Sequence, residues 1–151
     1  MLDARVTHDP ATRDLASRAD IEHLVRAFYR DAAMDDLLGP IFSAARVDWP
    51  HHIATLTDFW SWQLLGERGY AGNPLRAHEP VHARTPFETE HYERWLALFE
   101  ETVDDHFAGP NADTAKERAR RMARALQRLL DGTSAPGDAP LTPILTRRAA
   151  G

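Results

Sequence analysis

The 151-residue chain contains no cysteine. That absence excludes disulfide staples, thiolate catalysis, iron–sulfur clusters and thioether attachment of a cofactor through a C-x-x-C-H motif. No apolar run approaches the length of a membrane span. Residues Met1 to Asp20 carry charges throughout and no apolar signal core. Basic residues are the minority, 18 Lys and Arg against 23 Asp and Glu, for a net charge of −5. A chain of that sign is not drawn to nucleic acid or to an anionic membrane. Internal repeats and strand-period alternation are missing as well. These absences predict a cytoplasmic protein with no nucleic-acid or membrane partner.

What is present suffices for one folded domain. Hydrophobic residues make up 43%, which excludes general disorder, and the length supports a real core. Residues 1–17 read as a polar, flexible lead-in and residues 18–132 as the domain. Residues 133–151 carry three prolines and no periodic stripe, and read as a disordered tail.

Within the domain the periodicity is helical throughout. Asp20 is the expected cap of a helix running to about Met34, with Ile21, Leu24, Val25, Phe28 and Ala32 inside and Tyr29 on the same side. Asp35 to Pro40 reads as a turn, with or without a short helical piece, followed by Ile41 and Phe42 as buried anchors in a connecting loop. Asp48 caps a helix from about Trp49 to Leu65, with Pro50 in its first turn and Gly66 as its stop. Two stripes, one through Trp49, Ile53, Leu56 and Trp60 and one through His52, Leu56 and Phe59, make this helix apolar around more than half its girth. Such a helix is buried on two sides or faces a large apolar guest. Thr85-Pro86 opens a long helix to about Phe107 that carries Tyr92, Trp95, Phe99 and Val103 on one face. A last helix runs from about Ala112 to Leu130 and ends at Gly132. The fold class is all-α.

The stretch Tyr70 to His82 stands apart. Asn73 can cap a helix whose first residue is Pro74, and Pro80 is expected to stop it after little more than one turn. His78-Glu79-Pro80-Val81-His82 also matches the zinc-protease pattern H-E-x-x-H. That chemistry needs both imidazoles on one helical face, so Pro80 would sit inside the helix at a cost of about 3 kcal/mol. The zinc reading is disfavoured on that ground.

Several spaced motifs, in order, resemble the group III truncated haemoglobins, a bacterial globin family. They are Phe28-Tyr29, Leu38-Gly39-Pro40-Ile41-Phe42, Trp49-x-x-His52, Asp58-Phe59-Trp60, Leu64-Leu65-Gly66, Tyr70-x-Gly72-x-Pro74-Leu75-x-x-His78 and Trp95-Leu96-x-Leu98-Phe99-Glu100. The resemblance spans about Ile21 to Leu130. Two features depart from the family pattern: Glu79 follows the histidine, and the segment between His78 and Trp95 is a few residues longer.

The resemblance implies a truncated globin fold, a two-over-two helical sandwich around a non-covalent haem b, with a short proximal helix. It implies His78 as the iron ligand and Tyr29, His52 and Trp95 as polar and aromatic distal residues. Phe42 would pack on the haem face, and Leu56 and Phe59 would line the distal side. Taken singly, each residue has a plainer reading. Tyr29 and Trp95 fit core aromatics, and His52 and His78 fit surface histidines. The ordered set is what favours the site. His8, His23, His91 and His106 read as structural or surface residues, and the arginines from Arg118 to Arg128 as a solvated helix face.

The implied ligands are O2, CO and NO, with peroxide as a substrate if the protein is redox-active. Peroxidase-like or NO-detoxifying turnover would need an external electron donor or reductase. The alternatives are a non-enzymatic oxygen or gas sensor and a cofactor-free helical interaction module.

Overall fold

A computed structural model describes residues 13–134. They form six helices: α1 Arg18–Met34, α2 Gly39–Ala45, α3 Trp49–Leu65, α4 Pro74–Arg84, α5 Thr89–His106 and α6 Pro110–Ser134. Among the described residues the extended pairing amounts to one isolated bridge, between Arg13 and Phe107. The expected tail lies outside the described residues, apart from Thr133 and Ser134, which continue α6.

α1 begins earlier than expected. Ser17 is its cap and Asp20 its third residue, and each side chain accepts from the other's backbone N–H. Both residues are good capping types, and the reciprocal pair satisfies two orphan donors where Asp20 alone would satisfy one. Asp20 is buried and also accepts from both terminal nitrogens of the Arg13 guanidinium. That contact, against the cost of burial, lowers its carboxyl pKa to about 2.

Residues 13–17, expected to belong to a flexible lead-in, are built into the fold. Leu15 is fully buried. The Asp14 carboxylate accepts from the backbone N–H groups of Asn111, at 2.9 Å, and Ala112, at 2.8 Å. Asn111 returns a side-chain bond to the Leu15 carbonyl. The start of α6 is thus capped by a residue from the other end of the chain. Gly109 makes room for it: its φ is +142°, and a Cβ there would come within 2.5 Å of Asp14.

α2 stands where a loop was expected. Asp35 accepts from the N–H groups of Leu37 and Leu38, tightening the entry, and Pro40 occupies the first turn. Phe42 and Ile41 are half-buried, not fully buried. α3 matches its expected limits, with Asp48 capping and Gly66 closing it at φ +72°. α4 runs through Pro80 to Arg84, past the expected stop. Pro80 is exposed, so water can take up the carbonyl that a proline cannot reach. α5 begins at Thr89, not at Thr85-Pro86; the Glu88 N–H donates to His91 Nδ1, leaving residues 85–87 as a turn. α6 begins at Pro110 and passes through Gly132.

α1 crosses both α3 and α5, α5 lies along α6, and α3 and α4 touch α6. Two helix pairs, α1 with α3 and α5 with α6, therefore enclose the core. Its centre is aromatic: Trp60 stacks on Phe99 at 5.0 Å, Phe99 stacks on Trp95 at 5.5 Å, and Phe28 meets the edges of Trp95 and Phe99. The α6 arginines face outward, with Arg118 on Gln63, Arg120 on Glu100 and Arg121 on Glu117. Among the described residues no helix is long and apolar enough to cross a membrane.

Candidate haem site

Four helices bring one polar and aromatic group together. Tyr29 comes from α1, Phe42 from α2, Trp49 and His52 from α3, and Trp95 from α5. The Tyr29 ring lies 4.8 Å from His52, 5.9 Å from Phe42 and 6.0 Å from Trp49, centroid to centroid. Trp49 also lies 5.5 Å from Phe42 and 5.7 Å from His52. Burial pushes the Tyr29 phenol up to about 12, partly offset by a hydrogen bond from Trp95. The phenol is therefore neutral at pH 7. A neutral phenol keeps its O–H as a donor.

His52 Nε2 is buried and has no protein partner. Burial first, then the nearby imidazoles of His78 and His51, lower its pKa to about 4. His52 is thus a neutral ring with one uncommitted polar atom. His78, carried by a different helix, lies close enough to act on it electrostatically.

On the other side, His78 Nδ1 lies 2.6 Å from the Pro74 carbonyl. A carbonyl can only accept, so Nδ1 carries the proton and Nε2 keeps its lone pair. The residue is exposed to solvent, yet surrounding protein lowers its pKa through desolvation. Both conditions hold for a ring on the wall of an open cleft. His82 is bonded in the opposite sense: the Phe87 N–H donates to its Nδ1 at 3.0 Å. Nδ1 must then carry the lone pair and Nε2 the proton. Phe87 also packs against both rings, at 6.2 Å from His78 and 5.3 Å from His82.

Of the residues singled out in the sequence, Tyr29, Phe42, His52 and Trp95 meet, and His78 lies close enough to influence His52. Leu56 is half-buried against the core. Phe59 packs on Trp60 at 5.1 Å and on Tyr70 at 5.1 Å, towards the α3–α4 connection. Trp49 and Phe87 were missed as site residues. Trp49 could have been found, because it precedes His52 by three residues and so shares its face. Phe87 follows Pro86 in a turn, where no periodicity marks it.

A haem needs an axial nitrogen held in one orientation, apolar walls, and few polar groups on the opposite side. The chain offers each. His78 Nε2 is free while Nδ1 fixes the ring. Phe42, Trp49, Leu56, Leu64 and Trp95 pack on the core but stay partly accessible, leaving apolar surface around the histidines. His52 Nε2 is a buried polar atom without a partner. The donor set does not suit zinc. His82 presents a protonated Nε2, so His78 and His82 do not offer one ion two lone pairs.

Comparison with known proteins agrees. The model of the family described as bacterial-like globin matches residues 14–128. The chain is 34% identical over 118 residues to the group 3 truncated haemoglobin ctb of Campylobacter jejuni, covering 76% of this chain and 91% of that protein. The crystal structure of group III truncated haemoglobin from Campylobacter jejuni superposes with a TM-score of 0.71 at 33% identity, covering 79% of this chain and 94% of that one. The two helix pairs described above are thus those of a truncated globin fold, and the chain belongs to the bacterial-like globin family, among its group III truncated haemoglobins.

Proposed function

We propose that this protein is a cytoplasmic haem b globin that binds O2, CO and NO, with His78 Nε2 as the protein ligand to iron. Membership of a globin family implies haem and small gas ligands in general. The observation that carries the finer reading is that His78, held at Nδ1 with Nε2 free, acts electrostatically on His52, whose buried Nε2 has no protein partner and whose ring lies 4.8 Å from Tyr29.

When bound, a haem iron with one neutral imidazole offers a further position to a diatomic gas. The chain's own residues do the rest. Pro74 holds the His78 ring through Nδ1 and keeps it from turning. Neutral Tyr29 can donate its O–H, and Trp95 its indole N–H, into the cleft. Neutral His52 can donate or accept at Nε2, as a distal donor or as a gate. Donors aimed from an apolar wall favour ligands that carry partial negative charge, and the dry surroundings strengthen each bond. Phe42 and Leu56 would line the cleft and exclude water. Phe59 would line the distal side beside Leu56, its ring backed by Trp60 and Tyr70.

Haemin titration tests the reading. About one haem should be taken up per chain with a sharp Soret band, and acidic acetone should extract it, since no cysteine can attach it. A colourless protein that ignores haemin would overturn it. Peroxidase-like or NO-detoxifying turnover with an external electron donor or reductase is the enzymatic form of the proposal. Steady-state consumption of peroxide or NO separates it from a gas sensor, which binds without turnover.

A further inference from the structure

α1 and the end of α5 meet at two histidines that the haem cleft does not use. His23 Nε2 and His106 Nδ1 lie 3.4 Å apart. The rings are nearly perpendicular, with centroids 5.0 Å apart. Phe107 backs both, at 6.0 Å from His23 and 6.4 Å from His106. A separation of 3.4 Å is long for an N–H···N hydrogen bond. It is, however, the edge of a tetrahedral zinc site: two nitrogens at about 2.0–2.1 Å from one ion stand about 3.3–3.4 Å apart. His23 is exposed and His106 half-buried, so a hydrated ion can reach them.

We propose that His23 and His106 form a two-imidazole site for a divalent transition-metal cation of the zinc class, bridging α1 to the end of α5. The charges nearby are mixed. Asp105 and Asp31 face His106 with one sign, Arg30 and His23 with the other, and Arg30 is itself drawn to Asp31 at 3.6 Å. Among the described residues no third His, Asp or Glu completes a ligand set, so water fills the remaining positions and the ion exchanges readily. The ion would tie His106 to α1 next to Phe107, whose backbone holds Arg13 and the N-terminal segment.

The test uses the full chain saturated with haemin, so that His78 is engaged, and Zn2+ as the probe. Calorimetry should show one ion bound per chain, with the thermal midpoint rising as Zn2+ is added. His23→Ala and His106→Ala should each weaken binding at least tenfold and abolish the thermal shift. In NMR spectra of the wild type, the ring signals of His23 and His106 should move together at one equivalent. Equal Zn2+ binding by wild type and the double variant, or ring signals that stay still while Zn2+ binds, would overturn the proposal.

Discussion

His78 and His82 lie one turn apart on α4, yet their Nδ1 atoms are bonded in opposite senses, one donating to Pro74 and one accepting from Phe87. His78→Gly should therefore lose the iron–histidine bond, and added imidazole should restore a five-coordinate ferrous spectrum. His82→Gly should leave the spectrum intact and cost about 1 kcal/mol of stability, by stripping the Phe87 N–H of its acceptor. Resonance Raman decides: an iron–histidine stretch that survives in His78→Gly and vanishes in His82→Gly reverses the assignment. On the distal side, Tyr29→Phe and Trp95→Phe should each speed O2 release about tenfold to a hundredfold, the equivalent of one charge-assisted hydrogen bond. CO release should change less, because that ligand carries less negative charge. Equal small effects on both gases would mean that the two side chains pack without donating. At this scale the ordered motifs named residues that the fold brings near one another, as Tyr29 and His52 at 4.8 Å. A stripe such as His52, Leu56 and Phe59 gives each residue's angle on a helix and not the neighbours it turns to, here Trp60 and Tyr70 for Phe59.

Helix ends were legible where the signal is local. Asp48 and Gly66 act on α3 within a turn of themselves, and both limits came out as read. α4 was drawn too short because the cost of Pro80 depends on exposure, which the sequence does not state. α2 has only seven residues and no stripe to betray it. The cap on α6 was out of reach altogether, since Asp14 finds the N–H groups of Asn111 and Ala112 from the far end of the sequence. Asp14→Ala should lower stability by about 1–2 kcal/mol, the loss of a helix cap, read as a fall in the urea midpoint. Asp14→Asn, which keeps an accepting oxygen, should lose much less. If both variants unfold like the wild type, the capping bonds contribute nothing.

For the molecule as a whole, several depressed groups set a response to acid, Asp20 and His52 among them. Asp20 has a folded pKa of about 2 against an ordinary 3.8. A depressed carboxylate contributes stability above its unfolded value and loses it as pH falls from 3.8 towards 2. His52 titrates near 4 in the fold against 6.5 when unfolded; the unfolded chain takes up that proton first, so stability also falls from pH 6.5 towards 4. Urea midpoints should decline through both windows. In Asp20→Asn the lower window should flatten, and the gap to the wild type should be wider at pH 6 than at pH 2.5. A constant gap would mean that Arg13 and the α1 amides do not favour the charged form. The all-α class was legible from period alone. The two-over-two sandwich came from the resemblance, and which helices pair came only from the structure, because amphipathic stripes show which face is buried and not against what.

The bond from Asp14 to α6 also sets an order in time. A ribosome releases this chain from the N-terminus, so Asp14 and Leu15 emerge long before Asn111 and Ala112 exist. Until then the seam that Leu15 closes stays open. Every side chain assigned here to the haem, from Tyr29 to Trp95, lies upstream of Pro110. The nascent chain therefore passes through a stage in which the cofactor's residues are all made and the last helix is not, and haem capture and closure of the fold become separable events in its biogenesis.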